Sequence, residues 1–482
     1  MVCEILCPVD RSSPVLIFNP KPSRSYPSWH SPCHENSCHL GSTLATFLNL
    51  IPKKIDPDTK QCPKDFTRNR KLPFPKLITF ILSLVASGKS KGVDIKSGDF
   101  FRAARRSGLW PDAGEVHRSA LTLARKKVSW TIFRDMLHKA VKLAYGFYPR
   151  NPVYLWHGMS VVAFDGSKYD LPATVENRGA FDPKSGFEHE GRGHYPQCLV
   201  TTAYDVFRRL PIARSVVSIH ESEREQVQGL LPFVPPRCIL LFDRGYPSFD
   251  LIAYLRECHP GYFLFRCPTE STFPAVEAFV ESGRQEDYTV LTPSNKYLTG
   301  LGAKERERAT GIQLRVIRLV SPDGKSSVLL TNMLNKSKFP REQICQLYFR
   351  RWAIEEHYRC EKVVLDVEKF HGKTPNSIRQ ELFAVAIMSV IARTLMVISS
   401  RVHGPRRAEY QFKNAVMTLA SEAAVLVPDE PHRAVEIFSE LIKAISRVRY
   451  YRSKAARPSQ PRVTKKAPNK WCSRRREKLE NA

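Results

Sequence analysis

The chain has 482 residues, 42% of them apolar, and a formal net charge of +28 at pH 7. Its length and apolar share exclude a chain without a sizeable core and predict two or three domains. So large a positive excess argues against a merely basic bystander and favours a polyanionic partner, nucleic acid before an anionic membrane.

Residues 1–65 are rich in Pro, Ser and Cys without sustained periodicity, which predicts an irregular lead-in. The opening MVCEILCPVDRSSPVLIF has no basic stretch before its short apolar run, so it makes a poor signal peptide. The 12 cysteines are therefore expected reduced. HSPCHENSCH supplies His30, Cys33, His34, Cys38 and His39, but no Cys-x2-Cys pair, so a loose terminal segment is expected there rather than a zinc site.

Residues 66–150 read as a helical domain. Leu121, Ala124, Val128, Ile132, Leu137 and Val141 recur at near-helical intervals, and Pro111 with Asp112 punctuates the approach. Near Tyr154 the pattern changes. VVAFDGS predicts a strand ending at Asp165 and turning at Gly166. CLVTTAYDVFRRLPIARSVVS predicts two strands joined near Arg208 to Pro211. RCILLFDRGYPSFDLIAYLREC predicts a buried strand, a break at Arg244–Gly245 and a helix, and GYFLFRC one more strand. Residues 270–335 are strand-like again, and long helices follow from Phe339. The apolar runs from Leu77 and Leu382 read as buried core helices: the first is too short to span a bilayer, and the second carries Arg393. Over residues 443–482, 14 Lys/Arg stand against 2 Asp/Glu, a net 14 − 2 = +12, which favours phosphate contact.

Asp165 and Asp243 share a context. Each ends an apolar run and precedes residues that turn the chain, a position where α/β sheets present ligand-binding groups. One such aspartate would pass as a helix cap; two in a basic chain point to a site. The stretch QLYFRRWAIEEHYRCEK, residues 346–362, adds a third acid. Drawn as one helix, Tyr348, Arg351, Glu355, Tyr358 and Lys362 line one stripe, with Glu356 rotated about 100° away. That stripe sets one carboxylate among two cations and two phenols, which suits a phosphodiester backbone better than a plain solvated face. Three carboxylates can hold divalent metal, magnesium above all, with water in its remaining positions. Without metal they would repel and raise one another's pKa.

Tyr348, Arg351, Glu355 and Lys362 spell Y-x2-R-x3-E-x6-K, which resembles the YREK signature of DDE transposases from bacterial insertion sequences, the insertion sequence 4 group. FDGS at Asp165 and FDRGY at Asp243 resemble that family's first and second aspartate motifs. FTRNRKLPFPKL, SALTLARKKVSWTIF and NKWCSRRR resemble its terminal regions. The resemblance implies an α/β fold with an RNase H-like catalytic core over residues 151–269 and 336–400. It implies a β-rich insertion at 270–335, an N-terminal helical DNA-end-binding domain at 66–150, and a basic C-terminal helical region and tail at 401–482. It makes Asp165, Asp243 and Glu355 the metal-binding catalytic acids, with Mg2+ as cofactor and Mn2+ as a substitute. Tyr348, Arg351 and Lys362 are expected at the DNA phosphates, joined by Arg244 and Tyr358. Some members stack a flipped base on a tryptophan of the insertion; here no Trp lies between Asp243 and Trp352, leaving Tyr288 and Tyr297 as candidate rings. The implied activity is metal-dependent cleavage at transposon ends and strand transfer into target DNA. Its partners are the terminal inverted repeats and target duplex, bound by a homodimer in the bacterial cytoplasm, with no membrane. The rival readings are an RNase H-like nuclease, an inactive transposase-derived DNA-binding protein, and a covalent mechanism through Tyr348, which would leave three acids unused.

Overall fold

A computed structural model describes residues 33–67, 72–85, 92–148, 151–185, 195–270, 272–293, 295–300, 302, 306, 310–320, 326–404 and 409–450. The basic stretch beyond residue 450 and the first 32 residues, including His30, lie outside the described residues.

An eight-stranded mixed sheet organises the described residues. Its strands are β1 (Val161–Asp170), β2 (Gln197–Asp205), β3 (Leu210–Ser218), β4 (Ile239–Phe242), β5 (Tyr262–Cys267), β6 (Glu286–Leu291), β7 (Ile312–Val320) and β8 (Ser326–Thr331). They lie side by side in the order β3-β2-β1-β4-β5-β8-β7-β6. β1, β4 and β5 run parallel, and every other neighbouring pair is antiparallel. β4 is buried at all four positions, as a strand covered on both faces must be. Strands from the stretch expected to be a β-rich insertion are thus not a separate unit. Residues 264–267 of β5 pair with 328–331 of β8, so the ladder runs on without a gap. This stretch also holds a helix, Pro274–Glu281, started by a proline at its first position.

β1 corrects the expectation that the strand ends at Asp165. Its pairing with parallel β4 stops at Ala163↔Leu241, but its pairing with antiparallel β2 continues to Asp170↔Gln197. Asp165 therefore sits within β1, just past the end of its shorter neighbour. The lead-in also needs correcting, for Cys33–Leu48 is a helix that buries Leu44 and Phe47, the latter stacked on Phe147 at 5.6 Å.

Helices Phe74–Leu84, Val93–Arg106, Arg118–Lys126 and Thr131–Phe147 precede the sheet. The Thr131–Phe147 helix packs on Pro375–His403, the longest helix among the described residues, which also covers β3. Thr374 and Ser377 start that helix as a reciprocal capping pair with Pro375 between them, and Gly404, at φ +80°, ends it in a conformation that favours glycine. The helix is long and apolar enough to cross a membrane, but its apolar window is 83% buried inside the fold. Arg393 is accommodated over the Phe412 ring at 4.0 Å.

Candidate active site

Asp165 and Asp243 come together through strand register. Ala163 pairs with Leu241, so two residues further along Asp165 stands beside Asp243, where β4 gives way to a turn closed by the Tyr246 N–H on the Asp243 carbonyl at 3.1 Å. The turn is short because Arg244 and Gly245 carry no apolar anchor, whereas Tyr246 is buried.

Glu355 arrives from the far end of the chain. The stretch drawn as one helix is two, Arg341–Phe349 and Trp352–Arg359, continued by a π-helical turn over Cys360–Val364. Arg350 and Arg351 form the joint: their N–H groups bond three residues back, to Leu347 and Tyr348, which tightens the backbone into a 3₁₀ step. The joint keeps Tyr348, Arg351 and Glu355 on one side, and Glu356 is exposed. A buried network anchors the π turn and, through it, the Trp352–Arg359 helix. Glu361 accepts from Arg214 at 2.7 Å and from the Tyr169 hydroxyl at 2.6 Å, and His357 Nε2 lies 3.1 Å away. Burial opposes the Glu361 charge, but Arg214 and His357 outweigh it and hold the carboxyl far below the usual range. These residues, drawn from β1, β3 and the π turn, fix the depth at which Glu355 is presented.

One guanidinium serves both outer acids. Arg351, itself buried, lies 3.6 Å from Asp243 and forms an ion pair with Glu355. The Tyr348 hydroxyl donates to Asp243 Oδ1 at 3.3 Å. Asp165 feels the crowding most. Burial pushes its carboxyl up, Arg351 partly offsets that, and the Glu355, Glu223 and Asp243 carboxylates push further, to about 7. Among the described residues, no three His, Cys, Asp or Glu side chains converge closely enough to hold a metal ion. The donor chemistry is nonetheless that of a hard cation: carboxylate oxygens with more negative charge than one guanidinium balances.

The expected DNA contacts divide. Arg244 is exposed. Lys362 bonds the Lys168 carbonyl and lies over the Tyr169 ring at 4.5 Å. Tyr348 and Arg351 are buried against the acids. Tyr358 does not belong with them. Its ring is buried and its hydroxyl lies 2.7 Å from the Asp165 carbonyl and 3.1 Å from that of Val200, so it fastens the helix to β1 and β2 and is withdrawn from nucleic acid. Glu223 is a member of the site that no sequence motif announces. It sits against Gly166, and only its place in the first turn of helix Glu223–Leu230 singles it out locally.

Residues 156–391 match the family described as the transposase DDE domain. Over 417 residues the chain is 23% identical to transposase InsG of insertion sequence element IS4 from Escherichia coli strain K12, covering 84% of this chain and 88% of that one. A putative transposase, y4zB, of Sinorhizobium fredii is 27% identical over 34% of this chain and 43% of its own length. Among solved structures, the piggyBac transposase synaptic complex with hairpin DNA aligns over 84% of this chain and 82% of that one, at 10% identity and a TM-score of 0.38. With a transposase DDE domain match over residues 156–391 and a likeness to the IS4-element transposase running through most of the chain, this protein is similar to DDE transposases of the insertion sequence 4 type.

Proposed function

We propose that the chain cuts DNA at the ends of its own mobile element and joins the freed 3′-hydroxyl to target DNA, with Asp165, Asp243 and Glu355 as the catalytic acids and magnesium as the cation that would draw them together when cation and DNA bind. The observation that carries this reading is the register of β1 against β4, which sets two aspartates side by side, with Glu355 tied to Asp243 through Arg351. The strand order β3-β2-β1-β4-β5, three antiparallel and then two parallel, supports an RNase H-like core. When bound, divalent metal activates the attacking oxygen and steadies the leaving one. The chain's own groups do the rest. Arg351 balances charge between the acids, and with Tyr348 it holds Asp243 in place. Arg244 and Lys362 meet the phosphates near the cut, where cations position the strand without reading its bases, while Tyr348 and Arg351, buried against the acids, act on the strand through Asp243 and Glu355. Cutting two ends together calls for a homodimer assembled on DNA.

The test uses a duplex carrying the inverted repeats that flank the gene. Asp165→Ala, Asp243→Ala and Glu355→Ala each lower cleavage by at least about 10²-fold, as loss of several kcal/mol of charge stabilisation requires, while still binding the duplex in a mobility-shift assay. Glu356→Ala stays close to the parent. Three variants that cleave like the parent would falsify the assignment, and cleavage without joining to target DNA identifies a nuclease.

A further inference from the structure

The turn that carries Asp243 is gripped from a third element. Glu223 and Arg224 open the helix Glu223–Leu230, which is seated on the sheet through buried Val227 and Leu230. The Tyr246 hydroxyl donates to Glu223 Oε2 at 3.0 Å, and Arg224 Nε donates to the Gly245 carbonyl at 2.9 Å. Consecutive side chains thus hold consecutive residues of the turn. Glu223 reaches this position across Gly166: a Cβ built there would lie 2.3 Å from the Glu223 carboxyl carbon and 2.5 and 2.7 Å from its oxygens. Gly166 follows Asp165 directly, so the carboxylate that fastens the second aspartate's turn rests on the backbone beside the first. An acid in a first helical turn ordinarily serves the helix dipole and nothing else. Here its oxygen receives a hydroxyl from a buried tyrosine of another element, and a glycine leaves it room.

We propose that Glu223 and Arg224 are positioning residues that clamp the Asp243–Tyr246 turn against β1 and so fix the spacing of Asp165 and Asp243. The catalytic consequence rests on the function proposed above; the mechanical one does not. A reacting group displaced by about 1 Å costs about 10²-fold in rate, so a clamp one hydrogen bond deep is enough to matter.

Hydrogen exchange on the full-length, metal-free protein reads the clamp without any DNA. Glu223→Ala and Tyr246→Phe each raise exchange at the amides of residues 243–246 by about tenfold, the loss of one buried hydrogen bond, and the double variant adds little because both remove the same bond. Glu223→Gln keeps the acceptor oxygen and stays near the parent. Arg224→Ala, at an exposed position with little bearing on folding, moves exchange the same way by a smaller factor. In cleavage of the inverted-repeat duplex, Glu223→Ala lowers kcat by about 10- to 100-fold with KM unchanged, and Glu223→Gln restores it. Unchanged exchange at 243–246 in both Glu223→Ala and Tyr246→Phe overturns the clamp. So does a Glu223→Gln protein as impaired as Glu223→Ala, which would make charge rather than the hydrogen bond the requirement. If Asp243→Ala cleaves like the parent, the proposed function fails, and the exchange data still decide the clamp.

Discussion

Asp165 carries a marked electrostatic strain in the candidate site. Its carboxyl sits at about 7 because burial and three nearby acids outweigh Arg351. The folded chain therefore holds a proton that the unfolded chain releases near pH 4, so stability of the metal-free protein falls as pH rises from about 4 to about 7. Asp165→Asn removes that penalty. Its melting temperature should exceed the parent's at pH 8 by several degrees and match it near pH 4; equal melting at both pH values would refute the crowding. That Glu355 faces Arg351 while Glu356 faces out was legible from the helical period, since the two differ by about 100° in direction. Glu223, Arg214 and Glu361 were not legible. Arg214 and Glu361 meet across 147 residues of sequence, and nothing local to either marks the other as its partner.

At the level of elements, the helix bearing Glu355 is held from beneath by Tyr358. Tyr358→Phe leaves a buried carbonyl of Asp165 or Val200 short of a donor, which should cost about 1–3 kcal/mol in denaturant unfolding while DNA affinity stays unchanged. A drop in affinity without loss of stability would return Tyr358 to the DNA face. The strands themselves were readable from alternation and apolar runs, and the hairpin between β2 and β3 falls where Arg208 to Pro211 suggested. Three features were hidden. β1 outlasts β4 because a different neighbour continues its ladder, a matter of pairing and not of composition. The 3₁₀ joint at Arg350–Arg351 contains no glycine or proline to announce it. And no local pattern tells which existing edge three added strands will join.

Across the whole molecule, one buried acid is among the groups that join the N-terminal helices to the core. Burial alone would lift the Glu381 carboxyl, but Arg125 at 2.7 Å and His371 outweigh it and hold it at about 2. A depressed folded pKa contributes stability above the unfolded value near 4.5, and that stability is lost as pH falls towards about 2. Glu381→Gln should lose about 3–5 kcal/mol at neutral pH and show a flatter acid limb, because it leaves Arg125 buried without its counter-ion. Unchanged acid unfolding would show that this pair does not join the two regions. Charge makes a second prediction at this scale. Removing residues 451–482, which hold most of the basic tail, should weaken binding to any duplex and reduce the slope of log affinity against log salt; an unaltered slope would mean that the tail never meets phosphate.

Because β8 is paired to β5 over as many residues as β5 is to β4, the eight strands form one unbroken sheet. A pull exerted on β6 or β7 passes rung by rung to the place where the two aspartates stand.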